Sequence, residues 1–355
     1  MRTETNRPPG ENTASDQKSP LMAHTFADEN NLYNARVPGE PAPASKTAYA
    51  IEARGLRKVY RAAGSQPAKE ALKSIDLAVP RGSIFALLGP NGAGKSTFIN
   101  ILAGLVIKTS GTASIWGFDM DVNPRQARAS IGVVPQELSI DPFFTPGEVM
   151  DMQAGLYGVP KRERRTMEIL KAMGLDDKVD AYARTLSGGM RRRLLVAKAM
   201  VHNPPVLILD EPTAGVDIEL RRQLWDYVKG LNARGTTIVL TTHYLEEAEA
   251  LCDTIAIIDK GEVVACEPKA QLLGRISEKK LIVWPGSPAT QIPAALEGMK
   301  AELKADGSIC VQYNPAERGA MDILGSLSAG GMEIRDISTE ESDLEDVFLQ
   351  LTSSR

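Results

Sequence analysis

Residues 89–96, GPNGAGKS, have the residue types and the spacing of a loop that binds nucleotide phosphates. Glycines let successive backbone N–H groups turn toward an anion with no side chain in the way. A helix that starts near Lys95 adds the positive end of its dipole. The Lys95 ammonium would reach the outer phosphates, and the Ser96 hydroxyl would bind Mg²⁺. The alternative is a simple tight turn, which does not account for the lysine and serine at these spacings.

The residues predicted to contact the nucleotide at this loop form one continuous run. They are Gly89, Pro90, Asn91, Gly92, Ala93, Gly94, Lys95, Ser96 and Thr97.

Two adjacent carboxylates follow a second apolar segment, VLILDE at 206–211. A buried strand here would deliver Asp210 to its carboxyl end, where the carboxylate could hold a metal ion through water. Neighbouring residues on a strand point in opposite directions. Glu211 is therefore predicted to face the attacking water as a base or a water-positioning group. The alternative is a solvated acidic strand end.

A second glycine-based anion site is predicted in TLSGGMRRR, residues 185–193. Ser187, Gly188 and Gly189 stand where a helix begins, so a hydroxyl and free N–H groups would meet at its positive end. Three arginines follow at 191–193. They could strengthen the field around a phosphate, but a solvated helix face is the favoured interpretation for them.

With TLSGGMRRR lying between the phosphate loop and VLILDE, the chain resembles the ATP-binding cassette (ABC) ATPases, and the resemblance extends over about residues 48–270. It implies further roles. Gln136 in GVVPQE is similar to the family's Q-loop glutamine, and Asp217 in AGVD to its D-loop aspartate. His243 in TTH resembles the switch histidine that senses the γ-phosphate. Tyr60 in LRKVYR resembles the aromatic residue that stacks on adenine, with core packing as its alternative.

The resemblance also implies why one chain carries two anion sites. In this family the Ser-Gly-Gly segment caps the γ-phosphate held by the other subunit of a head-to-tail pair, so two ATP molecules lie between two copies. ATP and Mg²⁺ are the implied cofactors. The implied catalytic residues are Glu211, His243 and Gln136, and the implied metal ligands are Ser96, Gln136 and Asp210.

The elements that would position these residues alternate between apolar strands and amphipathic helices. Apolar strands are predicted at 82–89, 206–210 and 236–242, and two short strands around a turn at 254–265. A helix from Ser96 would place Phe98, Leu102 and Leu105 on one face. This alternation predicts an α/β fold with a mainly parallel sheet covered on both faces. The resemblance specifies it as the P-loop NTPase fold of ABC ATPases.

Composition changes divide the chain into three predicted parts. Residues 1–46 are rich in Pro, Asn, Glu, Ser and Ala and predict a disordered N-terminal tail. Residues 47–275 form the ATPase domain, with a helical insert at about 138–186. Residues 276–355 predict a small C-terminal α/β accessory domain, whose last helix carries an apolar stripe that includes Leu344, Val347, Phe348 and Leu351.

The overall composition argues against several classes of protein. The chain has 355 residues, 43% of them hydrophobic, and a net charge of −4, which argues against a dedicated nucleic-acid binder. Its three cysteines lack CxxC spacing and are expected to be buried small side chains rather than metal ligands. No apolar run approaches the roughly 20 residues of a membrane span. We therefore expect a cytoplasmic protein that reaches the membrane only through a partner.

The segments ARTLSGGMRRRL and SDLEDVFLQLT resemble exporter ATPases of the daunorubicin-resistance type. The function that this implies is the ATP-hydrolysing subunit of an ABC transporter, which forms a homodimer and powers a separate membrane permease for drugs, lipids or polysaccharide. One alternative is a soluble ABC ATPase that acts on nucleic acid or ribosomes. Another is a nucleotide-gated binding module with negligible turnover, against which Glu211 counts.

Overall fold

A computed structural model describes residues 48–62, 67–213, 216, 218–275, 279–315, 317–341 and 343–353. The predicted N-terminal tail and Asp217 lie outside these residues. Among the described residues, no helix combines the length and the apolar character needed to cross a bilayer.

Strands and helices alternate along most of the described chain. The strands are β1 (Tyr49–Tyr60), β2 (Lys69–Pro80), β3 (Ile84–Leu88), β4 (Ser110–Ile115), β5 (Phe118–Asp119), β6 (Ile131–Val134), β7 (Val206–Asp210), β8 (Thr237–Thr241), β9 (Thr254–Asp259), β10 (Glu262–Pro268), β11 (Lys279–Pro285), β12 (Lys300–Leu303), β13 (Ile309–Tyr313) and β14 (Ile334–Glu341). The α-helices are α1 (Lys95–Leu102), α2 (Pro124–Ala129), α3 (Pro146–Leu156), α4 (Thr166–Ala172), α5 (Gly188–Met200), α6 (Ile218–Ala233), α7 (Leu245–Leu251), α8 (Lys269–Leu273), α9 (Ala320–Ala329) and α10 (Leu344–Ser353). Short 3₁₀ helices lie at Lys161–Glu163, Asp176–Lys178, Ala183–Thr185 and Ala294–Leu296.

The central sheet has the strand order β10-β9-β3-β8-β7-β6. Its strands pair in parallel except for β10, which runs antiparallel to β9. All five residues of β3 are buried, because the sheet is covered on both faces. Ile84, Ala86 and Leu88 join the core on one face, and Phe85 and Leu87 join the core on the other. The predicted mainly parallel, doubly covered sheet is confirmed.

A second sheet, with the order β2-β1-β4-β5, is antiparallel and was not predicted from the sequence. It packs with α1 and α2 against one face of the central sheet. Strands β1 and β2 are each 12 residues long, and their pairing contains several register shifts. Such shifts break the simple alternation of apolar and polar residues that reveals a strand in a sequence.

Helix α1 is shorter than predicted. It buries Phe98 and Leu102 but ends at Leu102, and Leu105 is 76% exposed, so its predicted place on the buried face is wrong. Gly104 has a φ of +74° and terminates the helix in the left-handed conformation that glycine adopts most readily.

The predicted helical insert contains α3, α4 and three short 3₁₀ helices. Helix α3 begins with a capping box, in which Thr145 and Glu148 each bind the other's backbone N–H, and with Pro146 in its first turn. Met150 and Ala154 of α3 pack into the same core as α5. The insert is thus attached to the central sheet through α5, which begins within TLSGG.

The C-terminal residues form a third sheet with the order β12-β13-β11-β14, all antiparallel. Together with α9, this sheet encloses a core of its own. Helix α10 does not join that core. Leu344 and Val347 are buried in the core of the central sheet, and the Leu344 N–H donates to Glu249 on α7 at 3.2 Å.

We predict that Leu344→Ala lowers the free energy of unfolding by about 2–5 kcal/mol, since the leucine is fully buried and its removal leaves a cavity. Leu349→Ala on the same helix is the matched control. Leu349 is half exposed, so its change should stay within about 0.5 kcal/mol. Chemical denaturation of both variants measures the two values. Equal losses for the two variants would contradict the packing of α10 described above.

Candidate nucleotide-binding and catalytic site

Four adjacent parallel strands of the central sheet end beside one another and deliver most of the predicted site. The loop of residues 89–94 follows β3, and His243 follows β8. Asp210 ends β7 and Glu211 follows it, while Gln136 lies just beyond β6. Parallel strands present their carboxyl ends at the same edge of a sheet. Segments that are far apart in the sequence therefore meet at one edge.

The loop after β3 has a backbone suited to an anion. Gly92 has a φ of +82°, and a Cβ at this position would meet no atom within 4 Å, so the approach to its backbone is open. Gly94 has a φ of +116°, and a Cβ there would lie 2.7 Å from the Ala71 carbonyl oxygen. The first position tolerates close approach of a ligand to the backbone, and the second requires glycine for the loop to pack on β2.

The Lys95 ammonium lies within this loop. Its Nζ donates to the carbonyl oxygens of Gly89 at 2.6 Å and Pro90 at 3.1 Å. Burial lowers the pKa of Lys95 because it disfavours the charged form, while the carboxylates of Glu211 and Asp210 oppose that shift. The lysine charge therefore lies near both the loop carbonyls and the two carboxylates. Ser96 is exposed and Thr97 is partly exposed at the start of α1.

Asp210 is a partly buried carboxylate. Its pKa is raised chiefly by burial, while the hydrogen bond from the Thr241 hydroxyl and the charges of Lys95 and Arg192 act in the opposite direction. The Thr241 hydroxyl donates to Asp210 Oδ1 and also accepts from the Glu211 N–H at 3.0 Å. Thr241 therefore ties both acidic residues to the neighbouring strand β8. The sequence offered a signal for it, a polar residue at the carboxyl end of an apolar strand, but no role was predicted.

Glu211 has a left-handed backbone with a φ of +47°, which is uncommon for a residue other than glycine. Its N–H donates to the Thr241 carbonyl oxygen at 3.1 Å, which fixes this turn. The side-chain amide of Gln136 donates to Glu211 Oε2 at 2.7 Å, and His243 Nδ1 lies 3.4 Å from the same oxygen. The structure therefore brings the three predicted catalytic side chains together around one carboxylate oxygen.

The backbone around Gln136 is held by Arg192. This guanidinium donates to the carbonyl oxygens of Pro135 and Gln136, both at 2.9 Å, and the residue is only 5% exposed. The interpretation of the arginines at 191–193 as a solvated face is therefore wrong for Arg192. Arg193 also turns inward and donates to the Met173 carbonyl oxygen at 2.6 Å. Three consecutive arginines give no signal of which of them face the protein.

Ser187 caps α5, since its hydroxyl accepts from the Met190 N–H at 3.2 Å. Ser187 and Gly188 are exposed, and a Cβ at Gly188 would meet no atom within 4 Å. The N-terminus of this 13-residue helix is accordingly open to a ligand from outside the chain. Gly189, next in the helix, is partly exposed.

Tyr60, at the end of β1, is 39% exposed, so the alternative of core packing is wrong. The Lys58 ammonium lies 4.8 Å from the centre of its ring. The expectation for the cysteines is partly wrong as well, because Cys252 and Cys310 are buried whereas Cys266 is exposed.

Comparison with known proteins identifies the arrangement. The sequence profile described as ABC transporter matches residues 72–214. The daunorubicin/doxorubicin resistance ATP-binding protein DrrA of Streptomyces peucetius is 38% identical over 310 residues, which covers 85% of this chain and 92% of DrrA. The chain belongs to the ABC transporter ATP-binding proteins.

Two further comparisons agree with that assignment. The Nod factor export ATP-binding protein I of Ralstonia nicotianae is 35% identical over 315 residues. The matched region covers 88% of this chain and 96% of that protein. A dimeric structure of the ATP-binding cassette MJ0796, in a post-hydrolysis state with ADP and Pi, matches with a TM-score of 0.55 and 27% identity, covering 62% of this chain and 98% of that one.

The predicted family and the ABC ATPase fold are thus confirmed, and the chain is an ATP-binding ATPase of this family. The relatives support the transporter interpretation over a soluble ATPase that acts on nucleic acid. Within this ABC ATPase the predicted D-loop residue, Asp217, lies outside the described residues.

We predict that Lys95→Ala weakens ATP binding, because losing a charge-assisted phosphate contact costs about 1.5–3 kcal/mol. The dissociation constant for ATP should then rise about tenfold to a hundredfold, measured by equilibrium binding. Lys73→Ala on β2, which removes an exposed lysine, is the control and should bind ATP as the unaltered chain does. Unchanged ATP affinity in a folded Lys95→Ala variant would refute the assigned role of the lysine.

Proposed function

We propose that two copies of this chain close head to tail around two Mg-ATP molecules, hydrolyse them and so drive a separate membrane permease that exports its substrate. The observation that carries this proposal is the meeting of Gln136 and His243 on the Glu211 carboxylate, at the sheet edge that also holds the phosphate loop. Beside one triphosphate site, Glu211 supplies a base, Gln136 a link to the rest of the chain, and His243 a sensor.

Each ATP is bound by two chains in this proposal. Residues 89–97 of one chain surround the phosphates, with Lys95 supplying the charge. Ser187, Gly188 and Gly189 of the other chain cap the γ-phosphate with a hydroxyl and backbone N–H groups. The exposed start of α5 supports this arrangement, since an anion brought by a second chain can reach it. Asp217 contributes from the segment before α6, and the exposed Tyr60 ring stacks on adenine.

The residues present fit a Mg²⁺ ion. No group of three His, Cys, Asp or Glu side chains among the described residues is arranged as a metal site. Mg²⁺ does not require one, because it keeps several waters and binds through one or two carboxylates and substrate phosphates. Ser96 and Gln136 would contact it directly, and Asp210 through water. When bound, Mg²⁺ neutralises charge on the phosphate oxygens.

The chemical step falls to the chain's own groups. The Glu211 carboxylate, held by Gln136 and by its backbone bonds to Thr241, accepts a proton from the attacking water or orients it. Lys95 compensates the charge on the phosphates. His243 donates a hydrogen bond to the γ-phosphate, so its contacts change when that phosphate leaves. Hydrolysis then favours the open state of the pair over the closed one.

The helical insert and the segment after Gln136 form the proposed surface for the permease. Large apolar side chains are exposed throughout this region, and such clusters mark interaction sites. They are Leu138, Phe143, Phe144, Met152, Leu156, Tyr157, Met167 and Tyr182. Arg192 on α5 donates a hydrogen bond to the backbone carbonyl of Gln136. In this proposal, that bond couples movement of the catalytic edge to movement of the permease surface.

Export is the proposed direction, and drugs, lipids or polysaccharide the proposed cargo. The names of the similar proteins, a daunorubicin/doxorubicin resistance protein and a Nod factor export protein, support this part of the proposal. The chain itself would lie on the cytoplasmic face of the membrane, held there by the permease.

We predict that Glu211→Gln binds ATP but hydrolyses it far more slowly, since the amide keeps the shape of the carboxylate and cannot accept a proton. An ATP-bound dimer should therefore accumulate, visible by sedimentation or light scattering with ATP. The double variant Glu211→Gln/Ser187→Arg is the control, because it keeps the binding loop but blocks closure and should remain monomeric. A Glu211→Gln chain that stays monomeric with saturating ATP would contradict the shared site.

We further predict that the chain co-purifies from solubilised source membranes with an integral-membrane protein. Replacing the exposed Phe143 and Leu156 by Asp should weaken this association while leaving ATP binding intact. Recovery of the chain with no integral-membrane partner would remove the transporter part of the proposal and leave the ATPase part standing.

A further inference from the structure

Helix α7 begins two residues after His243 and carries a buried carboxylate at Glu247, which is 7% exposed. Its oxygen Oε2 accepts hydrogen bonds from the hydroxyls of Thr213 at 3.0 Å and Thr242 at 2.9 Å. Burying a carboxylate is costly unless hydrogen bonds or opposite charge compensate it. Its neighbour Glu246 on the same helix is exposed. At Glu247 the hydrogen bonds from two threonines offset this cost, and each threonine belongs to a segment of the proposed catalytic site.

The first partner controls the histidine segment. Thr242 immediately precedes His243, and its hydroxyl, besides donating to Glu247, accepts from the Tyr244 N–H at 3.0 Å. One short chain of hydrogen bonds therefore fixes the residues on both sides of His243. The imidazole itself is more than half exposed, so little of its position comes from burial.

The second partner belongs to the segment of the catalytic carboxylate. Thr213 lies two residues after Glu211 and is 1% exposed. Because Thr213 and Thr242 bind the same oxygen of Glu247, that oxygen joins the segment that follows β7 to the segment that follows β8. These are the segments that place Glu211 and His243, whose side chains approach to 3.4 Å.

A third contact connects the cluster to α6, the helix that follows the predicted D-loop. Arg221 Nε lies 3.5 Å from Glu247 Oε1, and the Arg221 guanidinium lies 4.8 Å from the centre of the Tyr244 ring. The Tyr244 ring in turn lies 4.1 Å from the His243 ring. The imidazole therefore packs against a Tyr244 ring that contacts Arg221, and Arg221 in turn lies beside Glu247.

We propose that Glu247 is a positioning residue for ATP hydrolysis, which sets His243 against Glu211 through Thr242, Thr213 and Arg221 and couples both to the start of α6. It contacts neither nucleotide nor water in this role. The inference rests on the proposed function, because it assumes that Glu211 and His243 act on ATP. It adds to that function an internal link by which movement of α6, when two copies close, reaches the histidine.

The test compares Glu247→Ala with Glu247→Gln and with the matched control Glu246→Ala, all in the full-length chain. Glu247→Ala should lower kcat by about tenfold or more, since misplacing a catalytic group by about an ångström has effects of this size, while KM for ATP stays nearly constant. Glu247→Gln keeps an oxygen that accepts from both threonines and should recover most of the loss. Glu246→Ala should behave as the unaltered chain does.

Two further measurements separate positioning from loss of folding. Thr242→Val removes the hydroxyl at nearly constant volume and should lower kcat without changing KM. The chain has three histidines, so the imidazole NMR signal of His243 is assignable by its loss in His243→Ala. That signal should shift in Glu247→Ala and in Thr242→Val and stay in place in Glu246→Ala, with or without turnover.

Normal kcat together with an unmoved His243 signal in folded Glu247→Ala and Thr242→Val would overturn the inference and leave the proposed function standing. A parallel loss of kcat and of ATP binding in these variants, with His243 unmoved, would overturn it too, because that pattern indicates damage to the fold. An unaltered chain that hydrolyses no ATP, alone or with its permease, would instead refute the proposed function, and this inference with it.

Discussion

Four parallel strands of the central sheet end at one edge, and each proposed step depends on that shared edge. The phosphate loop, His243, the two acidic residues and Gln136 come from segments spread over more than a hundred positions, and helical crossovers return the chain to the same side each time. Gln136 and His243 converge on the Glu211 carboxylate, because both approach its Oε2. Thr241 fixes the backbone below it.

The charges at this edge compensate one another. Lys95 and Arg192 lie near the carboxylates of Asp210 and Glu211. Burial lowers the pKa of each cation, and the two carboxylates offset part of that shift. A buried charge is tolerated when an opposite charge and hydrogen bonds accompany it. In the proposed site a triphosphate with Mg²⁺ would enter this balance as an anion with its own cation, and Lys95 would exchange its bonds to the Gly89 and Pro90 carbonyls for phosphate oxygens. Arg192 donates to the backbone at Pro135 and Gln136 and so connects the site to α5.

The sequence was sufficient where a pattern has one physical meaning. Short apolar runs such as 206–209 favour buried strands, as β7 confirms, and the spacing of 89–96 is typical of a phosphate loop. It was insufficient where one pattern has several meanings. An apolar stripe on α10 shows that a face is buried, but not that it joins the core of the central sheet. Glu246 and Glu247 look alike in LEEAEA, and only packing buries the second of them. Arg192 was misjudged for the same reason.

A mixing experiment tests the shared site most directly. Lys95→Ala and Ser187→Ala chains are each expected to be largely inactive alone, since neither homodimer contains a complete site. In a mixed dimer, Lys95 of the second variant faces Ser187 of the first and forms one intact site, so the account predicts that mixing restores ATP hydrolysis. If both variants bind to each other and the mixture remains as inactive as its components, the two halves of the site do not come from different chains, and the account is contradicted.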